Sequence, residues 1–167
     1  VSSSDLINYR QFNKKLELLN QILSLISDIN QASDEKEVKD CIPALLQYTG
    51  EYTDADRVYI FELMSEKQDY YSNTFEWCRE GIVPQIDNLI RISADSMPVW
   101  HEKFLRGETI IIHDLEKICE TMPLEYDILK VQDIHSLLVL PLFANTQLSG
   151  FIGLEDRKRT RLNSSHR

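Results

Sequence analysis

The sequence predicts an α+β domain built on a largely antiparallel β-sheet, and three observations predict this fold class. Two segments with helical spacing of apolar residues precede the first strand. One β-hairpin follows them directly, and a second closes the domain. Between the hairpins lies a long excursion of mixed strand and helix character. Because sequential hairpins pair antiparallel, and helices before and between them cover the faces of the sheet, the α+β class follows.

The first predicted helix covers about residues 5–31, which include neither Gly nor Pro. One apolar stripe on it has the spacing of a coiled-coil seam, formed by Tyr9, Phe12, Leu16, Leu19, Leu23 and Ile26. A second stripe adjoins the first and consists of Leu18, Ile22, Leu25 and Ile29. Two interpretations stay open: one stripe docks on its own domain while the other forms a homodimer, or the domain buries both.

A second helix is predicted to begin at Asp34, because Glu37 three residues later completes a capping box. Pro43 is expected either to kink this helix or to break it into two pieces, and Gly50 marks the start of its end. A strand over Arg57–Met64, rich in β-branched and aromatic residues, then pairs through a polar turn with Tyr70–Trp77.

The excursion is predicted to open with a loop around Pro84 and a short extended piece over Leu89–Ile92. Its helix is capped at Asp95 or Ser96 and ends near Gly107. The later elements are a strand over Thr109–His113, a helical or loop-like stretch interrupted at Pro123, and the hairpin of Ser136–Leu142 with Gln147–Leu154. Gly150 and Gly153 in the last strand imply a close backbone approach or a bulge.

Composition narrows the functional classes. The chain has 167 residues, 43% of them apolar and 27% charged, which is typical of one globular domain. Its net charge of −9 argues against a nucleic-acid partner, since phosphate binding needs clustered Lys and Arg. No apolar run approaches the ~20 residues of a membrane-spanning helix, so no membrane contact is expected. The odd number of cysteines, without a CxxC pair, and the lack of a signal peptide predict a cytoplasmic location, and the start at Val1 suggests a fragment.

The C-terminal segment of residues 156–166 resembles the translation of a sequencing-library adaptor and differs from it only at Arg159. We therefore interpret residues 156–167 as a non-native tail and leave them out of the fold prediction. The predicted organisation is a signalling or dimerisation helix over residues 1–31, a sensor domain over residues 32–155, and this tail.

Several segments carry a resemblance to the GAF family over about residues 18–155. They are TGEYTDADRVYIFEL, TFEWCREGIVPQIDNL, the pattern W-x3-F-x2-GE-x-I-x-I-x-D beginning at Trp100, and QDIHSLLVLPLFANTQLSGFIGLED. The final hairpin is similar to the Ser-Leu-Leu-Val-x-Pro-Leu strand and Leu-x-Gly-Phe-Ile-Gly strand of that family. The second segment resembles GAF domains found beside diguanylate cyclase or histidine kinase outputs in bacteria.

The resemblance implies an antiparallel sheet of five or six strands. It places the N-terminal helices on one face, and the excursion helices with a small-molecule pocket on the other. It implies a non-catalytic regulatory sensor that binds a small-molecule effector, of unknown identity, and relays the signal through its terminal helices. The output domain, a kinase or diguanylate cyclase, is then covalently linked in the full-length protein. Alternatives are a ligand-free dimerisation or spacer module and a heme, redox or light-sensing domain.

Candidate ligand-binding residues are Trp77, Trp100, Phe104, His113, Asp114, Gln132 and Ser136. The tryptophans offer flat apolar walls with an N–H donor, but each equally suits the core. Asp114 at a strand end more often caps the next turn, with His113 partly exposed. Gln132 and Ser136 become candidates through the family, in which the start of this strand faces the pocket. No metal site is predicted, because no second His or Cys stands at ligand spacing.

Catalytic motifs are missing from the sequence: it contains no GxSxG, HExxH or GxGxxG pattern. Relative to the family, the cyclic-nucleotide signature is not recognisable, and Cys119 is followed by Glu120, whereas bilin-binding members have Cys followed by His. The three cysteines are dispersed, unlike those of methionine sulfoxide reductases of this family. We therefore predict neither an enzyme nor a bound cofactor.

Overall fold

The computed structural model describes residues 1–157; residues 158–167, most of the predicted tail, lie outside the described part. Within that part the α-helices α1 to α4 are Ser3–Gln31, Glu35–Thr53, Pro98–Leu105 and Pro123–Lys130. The strands β1 to β6 are Arg57–Ser65, Asp69–Cys78, Ile92–Ser93, Ile110–Ile112, Ile134–Ala144 and Gln147–Arg157. Short 3₁₀ turns occupy Ile86–Asn88, Ala94–Ser96 and Leu115–Ile118.

The strands form one sheet in the order β3-β2-β1-β6-β5-β4, and every neighbouring pair is antiparallel. The predicted α+β class with an antiparallel sheet of five or six strands is confirmed, with six. The outer strands β3 and β4 are only two and three residues long. No helix within residues 1–157 is both long enough and apolar enough to cross a membrane.

The described chain divides into two compact units, residues 1–55 and the residues from Asp56 onward. In the first unit α1 and α2 pack against each other. A capping box begins α1, since Ser2 Oγ accepts a hydrogen bond from the Asp5 backbone N–H at 3.2 Å. Every member of the second stripe of α1 is buried or half-buried, whereas most of the coiled-coil seam is exposed, including Tyr9 (63%) and Phe12 (60%).

The predicted N-cap of the second helix is confirmed, because Asp34 Oδ1 accepts from the Glu37 backbone N–H at 2.9 Å. The reciprocal bond of the predicted capping box goes to the preceding residue, since Glu37 Oε2 accepts from the Ser33 backbone N–H at 2.7 Å. The helix continues without interruption through Pro43, so the expectation of two separate pieces is wrong. A proline removes only one backbone donor, and the turns on either side keep theirs. The helix ends beyond Gly50, at Thr53, where Asp54 takes a left-handed conformation with φ of 58°.

The second unit places its core on one face of the sheet, under α3, α4 and the 3₁₀ turns. Aromatic residues dominate this core: Phe151 stacks on Phe61 and on Phe104 with ring centroids 4.8 and 4.9 Å apart. The predicted close backbone approach in β6 is confirmed at Gly150, where a Cβ atom would clash with the backbone carbonyl oxygen of Phe61. At Gly153 the close neighbour is a side chain, because a Cβ atom there would clash with the ring of Tyr59. Only glycine lets the Tyr59 side chain lie flat over β6 at this position.

Candidate functional site

A mainly apolar cavity lies between the core face of the sheet and the excursion helices. Its volume is about 310 Å³ with its open mouth included. The enclosed part holds about one water molecule. The sheet supplies one wall, the loop before β3 and α3 supply another, and α4 supplies the third. The lining residues are Arg57, Tyr59, Phe61, Leu89, Ile92, Met97, Trp100, Ile128, Leu129, Gln132 and Phe151.

Arg57 is the charged residue of the cavity wall, and its side chain is only 1% exposed. Its Nε atom lies 2.7 Å from Glu155 Oε1, and its Nη1 atom lies 3.3 Å from Glu76 Oε2. Its Nη2 atom donates to Gln132 Oε1 at 3.2 Å, and its guanidinium lies 4.5 Å from the centre of the Tyr59 ring. The guanidinium is therefore held on several sides by the protein itself.

The two carboxylates beside Arg57 have different environments. Glu76 accepts hydrogen bonds from the backbone N–H groups of Gln85, at 2.9 Å, and Ile86, at 3.4 Å. Glu155 is fully buried, and neither of its oxygens accepts an aligned hydrogen bond from the described residues. Burial raises the pKa of Glu155 to about 7, although Arg57 and Arg157 act to lower it. Glu155 is therefore the carboxyl of this cluster that changes charge near neutral pH.

Glu125 connects the two excursion helices beside the cavity. It lies on α4, is completely buried, and its Oε2 atom accepts from the Val99 and Trp100 backbone N–H groups at 3.2 and 3.4 Å. These donors belong to the first turn of α3, where N–H groups have no partner within the helix. A carboxylate from α4 thus caps α3.

The structure brings three of the sequence-predicted ligand residues together. Trp100 and Gln132 line the cavity, and Phe104 stacks on Phe151, which also lines it. The indole N–H of Trp100 is buried and has no hydrogen-bond acceptor among the described residues. Gln132 is already engaged, because its amide accepts from Arg57 and donates to the Ile128 carbonyl at 3.0 Å.

Four further candidates lie away from the cavity. Trp77 pairs with Val58, and Ser136 with Asp156, so both occupy the sheet face opposite to Tyr59 and Phe151. His113 is exposed after β4, and Asp114 Oδ1 accepts from the Glu116 backbone N–H at 3.1 Å. Asp114 thereby caps the 3₁₀ turn Leu115–Ile118, which is the more common role of an aspartate at the end of a strand.

Sequence reasoning missed the charged cluster of Arg57, Glu76 and Glu155. Arg57 and Glu155 are directly opposite in the β1–β6 register but far apart in the chain. The available signal was a charged residue at the start of one largely apolar strand and another near the end of a second. Because the sequence does not specify which strands are neighbours, these charges could equally have been assigned to solvent.

Residues 1–157 do not bring a set of metal-ligating side chains or a cysteine together at the cavity. They contain no group of three or more His, Cys, Asp or Glu side chains that could hold a metal ion. The described residues that line the cavity include neither cysteine nor histidine. Cys78 is half-buried near the end of β2, and burial raises its pKa to about 11, so this thiol is a poor nucleophile at neutral pH.

Comparisons with known proteins point to one family. A model of the GAF domain matches residues 37–167. The chain is 32% identical over 131 residues to the methanogenesis regulatory histidine kinase FilI of Methanothrix harundinacea (strain 6Ac). That match covers 75% of this chain but only 14% of the kinase, so the chain spans a small part of its relative's length.

Solved structures of similar fold include a phycocyanobilin-bound GAF domain from a cyanobacterial phytochrome. It has a TM-score of 0.67 and 16% identity, over 89% of this chain and 86% of that one. The chromophore-binding domain of a Stigmatella aurantiaca bacteriophytochrome gives a TM-score of 0.64 and 16% identity, over 88% and 53% of the two chains. At these identities the similarity shows the fold alone.

Proposed function

The chain belongs to the GAF domain family, and we propose on that premise that it is a regulatory input domain whose cavity binds a small molecule. The observation that carries the proposal is a mainly apolar cavity lined in part by Trp100, whose indole N–H is buried and has no acceptor among the described residues. Pockets of this composition, with few polar groups, are typical of small-molecule sites. No group of convergent acid, base and nucleophile lines the cavity within the described residues, which supports binding without catalysis.

The small size of the cavity explains how ligand binding is passed on as a signal. Since the enclosed space holds about one water molecule, a larger ligand has to displace the walls formed by α3 and α4. The Glu125 cap makes these helices move together. A ligand transmits a signal only when it binds two conformations with different affinity, and displacement of this helix pair supplies the second conformation. The receiver of the signal is an output domain, a kinase or diguanylate cyclase, joined to the chain.

A thermal-shift screen with a metabolite library tests the proposal. We expect at least one compound to raise the melting temperature, because a ligand at a hundred times its Kd stabilises a domain by about 2.7 kcal/mol. Leu129→Phe, which adds volume at the cavity wall, is expected to abolish the shift. Leu124→Phe on the exposed side of the same helix is the matched control and should keep it. A library without any stabilising compound, or equal shifts in both variants, contradicts ligand sensing in this cavity.

A dimerisation module is the second candidate, and the first helix favours it. The coiled-coil seam leaves Leu16 41% and Leu23 54% exposed on a helix that already uses its other stripe inside the domain. An exposed apolar stripe of this length is typical of a surface that another protein covers. We propose that a second copy of the chain covers it, through the heptad spacing of the seam.

Leu16→Asp combined with Leu23→Asp is expected to convert a dimer into a monomer, because two buried charges per helix oppose coiled-coil packing. Light scattering coupled to sizing measures the mass. Ser24→Asp combined with Gln31→Asp is the control, since both side chains are exposed, lie off the two stripes and keep the same spacing. A parent protein that is already monomeric, or a seam variant that stays dimeric, shows that the seam is not the dimer contact.

A further inference from the structure

The walls of the cavity favour a flat molecule. Tyr59, Phe61, Trp100 and Phe151 all line it, and the Trp100 ring meets the Phe151 ring edge to face with centroids 6.1 Å apart. Aromatic walls pack best against another planar ring, through stacked or edge-to-face contacts. Because the enclosed part holds only about one water molecule, a ring enters only when the walls move apart, and a molecule of one or two rings keeps that displacement small.

The charge of the cavity favours an uncharged molecule. Arg57 could attract an anion, but its guanidinium is already paired with Glu155 at 2.7 Å and Glu76 at 3.3 Å. An anionic ligand therefore has to displace Glu155 or Glu76 from this buried cluster, and the displaced carboxyl group is then left without its partner. A cationic ligand meets no carboxylate among the described lining residues. A ligand of either charge loses its hydration in the cavity without gaining a free partner of opposite charge. The cavity therefore selects against anionic and cationic ligands.

One polar group remains available for recognition. Trp100 is 3% exposed, and its indole N–H has no acceptor within the described residues. The other polar lining residues already have partners. Gln132 is bound on both sides of its amide by Arg57 and Ile128. Arg57 is paired with Glu155 and Glu76, and the Tyr59 hydroxyl is hydrogen-bonded to Arg57. Because an unpaired buried donor is unfavourable, a ligand that brings an acceptor to Trp100 gains more than one that does not.

We infer that the cavity takes an uncharged, flat aromatic molecule of one or two rings whose hydrogen-bond acceptor pairs with the Trp100 N–H. Aromatic amides, ketones and neutral heteroaromatic compounds belong to this class. The inference rests on the proposed sensor function and narrows it to one ligand chemistry. It also assigns Trp100 as the residue that selects the ligand, with the Arg57 cluster as the element that rejects charge.

Three probes of one shape and different charge test the inference: benzamide, benzoate and benzamidinium. Each is titrated into the ¹⁵N-labelled chain, and the indole N–H signals of its two tryptophans are followed by NMR. We expect benzamide to shift the Trp100 signal saturably and to bind at least about tenfold more tightly than either ion. Trp100→Phe keeps a ring but removes the donor, and we expect it to weaken benzamide binding about fivefold to tenfold. Trp77→Phe, on the opposite sheet face, assigns the two signals and should leave binding unchanged.

Each result has a definite meaning. If the unmodified chain binds benzoate or benzamidinium as tightly as benzamide, the argument that the cavity rejects charged ligands is overturned. Equal benzamide affinity in Trp100→Phe and Trp77→Phe overturns the assigned hydrogen bond. If none of the three probes binds while the metabolite screen yields a stabilising compound outside the class, the ligand class is wrong and the sensor function stands. If neither probes nor metabolites bind, both proposals fail.

Discussion

Arg57→Met is expected to lower the free energy of unfolding by about 3–5 kcal/mol at pH 8. The substitution leaves Glu155 and Glu76 buried without the guanidinium that lies between them. Losing one partner of a buried ion pair is costly because the remaining charge keeps its desolvation penalty and loses its attraction. Urea denaturation followed by circular dichroism measures the difference.

Two comparisons isolate the cause of that loss. Arg57→Met combined with Glu155→Gln is expected to recover part of the stability, because it removes the charge that the single variant strands. Arg91→Met is the matched control: its pair with Glu66 has side chains 55% and 60% exposed, so we expect less than about 1 kcal/mol. If Arg57→Met costs no more than Arg91→Met, the buried cluster does not stabilise the fold as argued.

Glu155 is expected to make the domain less stable as the pH rises from about 4.5 to 7. Burial raises the pKa of this carboxyl from 4.5 to about 7 in the folded chain. Between these values the folded chain holds a proton that the unfolded chain has released, so the free energy of unfolding falls with increasing pH. The contribution of Glu155 to this fall is about 3 kcal/mol across the range.

Glu155→Gln removes this contribution, because the amide has no proton to lose. Urea denaturation at pH 5 and pH 8 gives the free energies of unfolding of parent and variant. The difference between parent and variant at pH 5, compared with that at pH 8, measures the contribution of Glu155. Burial also raises the pKa of Glu125, but that residue is present in both proteins and cancels in the difference. Glu66→Gln, at an exposed ion pair, is the control and should show no such change. Parallel pH profiles for parent and Glu155→Gln contradict the assignment.

Local signals made the order of elements predictable. The capping residue Asp34 was identified from its spacing to Glu37, and the two hairpins from runs of β-branched residues around polar turns. Pro43 shows where such signals are incomplete. Its helix continues because packing of α1 on α2 outweighs one missing backbone hydrogen bond.

The faces of the strands were harder to predict than the strands themselves. Along β1, Val58 and Tyr59 point to opposite faces, yet both are almost completely buried. An alternation of polar and apolar residues normally identifies the core face, and this strand has none. Trp77, as a flat apolar wall, and Ser136, through the family resemblance, were grouped with Trp100 as candidate ligand residues, although they lie on the opposite face of the sheet. The ion pair of Arg57 with Glu155 was equally invisible, since it depends on β1 and β6 being neighbours.

The outer strands of the sheet have a consequence for how such domains are used. With two residues in β3 and three in β4, each outer strand by itself offers a foreign strand very few backbone groups. In a receptor that holds several such modules side by side, so short an outer strand limits the pairing of β3 or β4 with a strand of the next copy. In the dimer that we propose, the contact is made by α1 and not by these strands.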